Sequence, residues 1–148
     1  MKNEDLKVKG NLDIVLRDKT GKIKKKKKYK NLVVTTGLGF IASRMKDATA
    51  GAMSHVGLGS GTTAAAAGQT DLVSALGSRE SIDSSVLSGN SIAYSTVFEA
   101  GDGTGAVTEA GIFNASSSGT MLCRTVFPVL NKAVGDTMSV TWTITISA

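Results

Sequence analysis

The 148-residue chain has few of the residues on which covalent or metal-based chemistry depends. It holds one cysteine, one histidine and one proline. A single cysteine excludes an intramolecular disulfide and a cysteine-cluster metal site, and a single histidine excludes a histidine-rich one. There is no run of about 20 apolar residues and no apolar leader core, so we expect no membrane span and no standard secretion signal. Length and composition predict one soluble domain over residues 1–148.

Positive charge is concentrated at the amino-terminal end. Residues 1–30, a basic strand or hairpin segment, hold eleven Lys and one Arg against four acids, a net charge of +8. The main body, residues 31–148, has a net charge of −3. The centre of the basic segment is a lysine run, whose members we take as candidate protein-contact residues: Lys22, Lys24, Lys25, Lys26, Lys27, Lys28 and Lys30.

Three interpretations of this lysine run are open. It can be a solvated strand kept soluble by charge repulsion, a contact with an acidic protein surface, or a contact with phosphates. Nucleic acid has the least support, because only Tyr29 is available for stacking and no recognition helix follows.

Alternation of apolar and polar residues predicts strands through most of the chain. Gly10–Asp18 alternates, and Asp18-Lys19-Thr20-Gly21 has the composition of a turn, so residues 10–35 are predicted to form a hairpin. Lysines guard sheet edges against pairing, which makes the return strand a candidate edge strand. Later predicted strands cover 53–58, 82–87, 92–98, 107–114, 121–127 and 137–146, the last with the strongest alternation. Pro128 is expected to end a strand or mark an edge position.

About eight strands with short turns predict a mainly β domain, a β-sandwich or jelly-roll-like barrel, with one or two short helices. Thr36 is a candidate cap for a helix with Leu38, Ile41 and Met45 on one side. Thr70 is a candidate cap for a helical turn over Asp71–Leu76 that stops at Gly77. Trp142 is expected to lie in the core, since it alternates in register with its apolar neighbours.

Four groups of residues are candidates for chemistry, and each has a simpler structural interpretation. Gly57-x-Gly59-x-Gly61 suggests a phosphate loop, but it lacks the Lys-Ser/Thr ending of a P-loop and is better interpreted as a structural turn. His55 has no neighbouring acid in the sequence, which favours a hydrogen-bonded structural role.

The other two groups contain acids and the single thiol. Glu99, Asp102 and Glu109 bracket a glycine-rich loop and could form a carboxylate pair or bind calcium. Calcium loops carry more oxygen ligands, so surface charges are the better interpretation. Cys123 alternates with Met121 and Phe127, which predicts a small core residue and not a nucleophile. No candidate supports catalysis, and we expect a non-enzymatic protein without cofactors or metals.

Several segments carry a recognisable family pattern: "KNLVVTTGLGFIASRM", "SHVGLGSGTTAAAAGQTDL", "GTGAVTEAGIFNASSSGTMLCRTVF" and "NKAVGDTMSVTWTITI". Together, over roughly residues 30–148, they resemble small virion structural proteins of tailed bacteriophages. The resemblance implies either a capsid decoration (cement) protein or a tail- or fibre-associated protein, with no catalytic residues.

Decoration of the capsid is favoured because the chain has no internal repeat, heptad or second module with which a fibre spans distance. A tail or tail-fibre component that contacts the host is the alternative, although only seven aromatic residues are present for binding glycans. The expected partners are the major capsid protein or other virion proteins and further copies of this chain, without membrane or nucleic acid. The expected location is the virion, assembled in the host cytoplasm.

Overall fold

The computed structural model describes residues 6–148, which form two five-stranded antiparallel sheets and a helix. The first sheet has the order β2-β1-β10-β7-β6 and the second the order β3-β9-β8-β4-β5. The elements in chain order are β1 (Lys7–Arg17), β2 (Ile23–Lys30), β3 (Leu32–Val33), α1 (Thr35–Lys46), β4 (His55–Gly59), β5 (Glu80–Ser81), β6 (Ser84–Ser88), β7 (Ser91–Phe98), β8 (Gly105–Phe113), β9 (Met121–Lys132) and β10 (Thr137–Ser147). The predicted β-sandwich is confirmed, with ten strands instead of about eight.

The predicted amino-terminal hairpin is confirmed as β1 and β2, but its return strand ends at Lys30 and does not include Leu32 and Val33. Its turn is held by Asp18, whose backbone N–H donates to the Lys22 carbonyl at 2.9 Å and whose carboxylate accepts from the Thr20 N–H at 2.8 Å. Gly21 has a φ of 88°, a left-handed conformation that glycine adopts without strain. The chain then leaves the first sheet at Asn31, and β3 joins the second sheet.

β10 is the central strand of the first sheet and has the regular alternation that its sequence predicts. It pairs with β1 along its whole length and with β7 on the other side. Its inward residues Met138, Val140, Trp142 and Ile144 are buried, and they meet Val56, Leu58 and Ile112 of the second sheet in one core. Trp142 is therefore a core residue, as predicted.

The helix α1 is confirmed, but its cap and its packing differ from the prediction. Val34 occupies the N-cap position and makes no side-chain cap hydrogen bond, while the Thr36 hydroxyl donates to the Met121 carbonyl at 3.3 Å. Leu38 and Met45 are exposed, so of the predicted apolar side only Ile41 packs against the core.

Pro128 does not end its strand, because β9 continues to Lys132. The register of the β8–β9 pair shifts between Val107 and Glu109 of β8. Opposite this shift β9 has extra residues, which include Pro128. A bulge tolerates proline because its N–H is not needed in the ladder. On its other side β9 pairs with β3 only at Cys123 and Arg124, so within residues 6–148 its second half has an open edge there.

Candidate functional site

The lysine run forms β2, which is an edge strand of the first sheet, as predicted. Lys25, Lys27 and Tyr29 lie opposite the buried Leu16, Ile14 and Leu12 of β1 and therefore share the face that points toward the second sheet. The outer face of the strand carries Lys26, Lys28 and Lys30. Lys22 lies in the preceding turn, so the structure brings all seven predicted contact residues to one edge. All seven are exposed.

Lys24 is the member of the run that has an internal role. Its Nζ lies 2.6 Å from Oδ2 of Asp136, which is nearly buried. The same oxygen accepts from the Ala133 N–H at 2.8 Å. The hydrogen bond from Lys24, together with this N–H, lowers the pKa of Asp136. Among residues 6–148, no other lysine of the run lies within 4.0 Å of a carboxylate oxygen.

A groove of about 540 Å³ opens beside this edge, between β2 and the unpaired half of β9. Leu16, Ile23, Val129 and Leu130 give it an apolar wall. The remaining lining residues are Asp18, Lys22, Lys24, Lys25 and Asn131. Further along the two strands, the rings of Tyr29 and Phe127 stack with centroids 4.8 Å apart. This contact joins the two sheets, and the groove lies next to it, toward the start of β2 and the end of β9. The groove combines apolar side chains with three lysines, one of which, Lys24, is paired with Asp136.

Lys132 is a buried cation near this edge that was not predicted from the sequence. Its Nζ donates to the carbonyl oxygens of Glu99 at 2.9 Å and Asp136 at 2.7 Å. Burial lowers the pKa of Lys132, and the neighbouring carboxylates of Asp102, Asp136 and Glu99 oppose that shift. It anchors the loops that follow β7 and β9. The only indication in the sequence that Lys132 is buried is its position two residues after Leu130, which places both on the same face of a strand.

Glu109 corrects the prediction of a surface carboxylate. It is fully buried on the outer side of the second sheet, where its Oε1 lies 3.0 Å from Nη2 of the equally buried Arg124. The carboxylate also accepts from the N–H groups of Gly61 at 2.6 Å, Val73 at 2.9 Å and Ser74 at 2.8 Å. Burial alone would raise the pKa of Glu109, but these three N–H groups and Arg124 outweigh it and hold the pKa below 4.5.

The same contacts explain why the predicted helical turn over Asp71–Leu76 is wrong. The Val73 and Ser74 N–H groups are bound to Glu109, and the Leu76 N–H donates to the Leu58 carbonyl of β4 at 2.9 Å. In a helical turn capped by Thr70, the Ser74 and Leu76 N–H groups would bind carbonyls four residues earlier, and the Val73 N–H would bind the Thr70 hydroxyl. All three N–H groups are bound to other partners instead. The segment 60–79 instead lies as an irregular loop across the second sheet.

The glycine motif has a structural role, as predicted, but not as a turn. Gly57 and Gly59 belong to β4, and Gly61 follows it. A Cβ atom on Gly59 would lie 2.6 Å from the Glu109 side chain and 2.6 Å from the Ser74 carbonyl oxygen. Glycine therefore lets the Glu109 carboxylate and the loop approach the strand closely. The N–H of Gly61 binds an anion, but that anion is the protein's own carboxylate.

His55 and Cys123 take the structural roles that the sequence favoured. His55 Nδ1 lies 2.8 Å from the Ser54 hydroxyl, and Nε2 lies 3.4 Å from the Ser81 hydroxyl. Cys123 is fully buried in the core, and burial raises the pKa of its thiol well above the ordinary value. A protonated, enclosed thiol is a poor nucleophile.

Glu99 is exposed and Asp102 is half-buried, and neither forms a carboxylate pair with Glu109. In the described part of the chain, no three His, Cys, Asp or Glu side chains come together as metal ligands. Over the same residues no helix has the length and apolar character to cross a membrane.

Comparisons of the chain with protein-family models, with curated proteins and with solved structures found no match.

Proposed function

We propose that this protein is a non-enzymatic structural protein of a tailed-bacteriophage virion, and that it decorates the head shell. The motifs that resemble such proteins support this proposal, and the β-sandwich is compatible with it. The single observation that carries the binding role is the lysine edge, the strand β2 with its six exposed lysines and Lys22 in the turn before it.

The lysine edge has little value for folding. Exposed charges contribute about 0–1 kcal/mol each, and adjacent like charges repel each other. The nearest acid on the neighbouring strand is Asp13, opposite Lys28. Such a concentration of charge, of which only Lys24 forms an ion pair within residues 6–148, accelerates encounter with an acidic surface. The partner that fits is therefore an acidic patch on the major capsid protein or another virion protein.

Quantitative mass spectrometry of purified particles tests the proposed location. A copy number comparable to that of the major shell protein supports decoration of the capsid. A few copies per particle would assign the protein to the tail, and its absence from the particle would overturn the proposal.

Binding to empty capsids tests the proposed contact. A variant with Lys25, Lys26, Lys27 and Lys28 replaced by Gln keeps the Lys24–Asp136 ion pair and is expected to lose capsid binding. The matched control replaces the same number of exposed lysines elsewhere: Lys7, Lys9, Lys19 and Lys46. Equal binding by both variants would show that the lysine edge is not the contact.

Duplex DNA, measured in parallel over a salt series, tests the competing interpretation. Affinity for DNA that falls with salt at a log–log slope of about −0.9 per neutralised phosphate would indicate phosphate binding instead.

A further inference from the structure

The backbone of β2 alternates between groups bound to β1 and groups that point to the open edge. The Asn31 N–H donates to the Gly10 carbonyl at 3.1 Å, so this N–H points toward β1. In an antiparallel ladder the direction of the N–H and C=O groups reverses at every residue. Counting back by two from Asn31, the backbone N–H and C=O groups of Tyr29, Lys27 and Lys25 point toward β1. Those of Lys26, Lys28 and Lys30 point toward the open edge.

One contact confirms this assignment of directions. The Lys30 carbonyl accepts a hydrogen bond from the Thr125 hydroxyl of β9 at 2.9 Å, which requires it to point away from β1. No such partner exists within residues 6–148 for the backbone groups of Lys26 and Lys28. These two residues therefore present the donors and acceptors of an unfilled strand position.

The side chains on this edge decide which strand can fill it. A second β2 would place lysines opposite lysines, and like charges in facing positions destabilise a strand pair. A strand with Asp or Glu at these positions gains cross-strand ion pairs on both faces. On the inner face its side chains would also reach the groove, where Ile23 and Val129 offer apolar contact and Lys25 offers charge.

We propose that β2 binds an extended acidic segment of a partner protein as an added strand, hydrogen-bonded to the outward backbone groups of Lys26 and Lys28. The inference rests on the proposed function for the identity of that partner, a virion protein. The mode of binding is a separate claim, because a charged patch alone would bind a folded acidic surface without any new backbone hydrogen bonds.

The test uses the isolated protein and a capped eight-residue peptide that alternates Glu with Val. Amide hydrogen exchange followed by NMR is expected to slow at Lys26 and Lys28 on binding, while Lys27 and Tyr29 are already protected by β1. The matched probe has the same sequence with alternate backbone amides N-methylated, which keeps the charge and removes donors. Loss of the backbone hydrogen bonds should weaken binding about tenfold or more.

Two variants provide an independent test of the same claim. Lys28→Pro removes an outward N–H without breaking a bond to β1, a position where an edge strand tolerates proline. Lys28→Gln removes the same charge and keeps the N–H. Peptide binding is expected to be much weaker for Lys28→Pro than for Lys28→Gln.

Three results would overturn strand addition. The first is equal affinity of the methylated and unmethylated peptides with exchange at Lys26 and Lys28 unchanged. The second is the same affinity for both Lys28 variants. The third is that, without peptide, the protection of these amides from exchange increases with protein concentration. That result would mean that the edge pairs with a second copy of the protein. None of them concerns the copy number in particles, so failure here leaves the proposed function standing, and the reverse also holds.

Discussion

Glu109 and Arg124 form an ion pair that is completely buried, with Oε1 and Nη2 3.0 Å apart. The two residues lie on the neighbouring strands β8 and β9, and both reach into the loop 60–79 above the sheet. Arg124 donates to the Thr63 carbonyl and to the Gln69 side chain, each at 2.9 Å, while the carboxylate binds Val73 and Ser74. The pair therefore holds the loop at several points along its length.

Removing one partner of this pair is expected to be strongly destabilising. Glu109→Gln leaves the Arg124 guanidinium buried without a counter-charge, which typically costs about 3–5 kcal/mol. Urea denaturation measures the free energy of unfolding, and amide exchange at Val73 and Ser74 should accelerate. The control is Glu99→Gln, since Glu99 is exposed and a surface change usually stays within about 0.5 kcal/mol. A cost below about 1 kcal/mol for Glu109→Gln would show that the pair does not hold the loop.

Glu109 also predicts how stability depends on pH. Its pKa in the folded protein lies below 4.5, its ordinary value, so the ionised form stabilises the folded state. That contribution is complete above about pH 4.5 and is lost as the pH falls through the lower, folded-state pKa. Glu109→Gln has no such group, so the difference in unfolding free energy between parent and variant should shrink as the pH is lowered to about 3. A difference that is constant or grows toward acid would contradict the sign of this pKa shift.

Two glycines predict opposite effects of the same substitution. Gly59→Ala places a methyl group 2.6 Å from the Glu109 side chain and the Ser74 carbonyl, so the loop must move and the protein is destabilised. A cost of about 1–3 kcal/mol is typical of an overpacked site. Gly39→Ala adds a methyl group with nothing within 4 Å inside α1, and alanine should stabilise the helix by about 0.5–1 kcal/mol. Thermal and urea unfolding of both variants measure the sign of each change in stability. Destabilisation by Gly39→Ala would contradict the prediction, because it would mean that the added methyl group meets a neighbouring residue.

The sequence predicted the parts of the fold that depend on regular alternation. Apolar and polar residues alternate along β10, and burial follows this alternation as far as Ile144, because one face of the strand meets the other sheet. The two-residue strands β3 and β5 are too short to show a period. The lysine run identified the edge strand, since such charge is tolerated only where a strand lacks a neighbour.

The parts that could not be predicted depend on residues distant in the chain. Thr70 and Gly77 are local helix signals, but Glu109 takes the amides between them from 35 and 36 residues away. A single acidic residue in an otherwise apolar strand gives no indication that an arginine lies on the next one. The groove likewise requires the crossing of β9 beside β2, which no local pattern encodes.

Trp142 contributes both apolar burial and a hydrogen bond to the core. Its Nε1–H donates to Oδ1 of Asn31 at 2.6 Å. Trp142→Phe keeps an aromatic ring and leaves the Asn31 oxygen, on a half-buried side chain, without this donor, a loss of about 1–3 kcal/mol. Trp142→Ala removes the ring as well and should cost about 3–5 kcal/mol. Urea denaturation monitored by circular dichroism compares the two. Equal losses would mean that the ring contributes nothing beyond the hydrogen bond.

The lysines of β2 should also keep copies of this protein apart at that edge. Pairing of two β2 strands would join the outward backbone groups of Lys26 and Lys28 with those of a second copy, and only charge opposes it. Lys26→Thr/Lys28→Thr keeps the strand and raises its β propensity, so we expect concentration-dependent self-association in sedimentation velocity. Unfolding free energy should change little, because both side chains are exposed.

The matched control for this edge is Lys19→Thr/Lys46→Thr, which removes the same charge from exposed positions outside β2. It should sediment as the parent protein does, because net charge alone does not open a strand position. Association of both variants to the same extent would attribute the effect to lower net charge and not to the edge. If neither associates, the lysines do not guard β2. If the lysines do guard β2, any homo-oligomer of the parent protein must use another surface, and its sedimentation should be unaffected by Lys28→Pro.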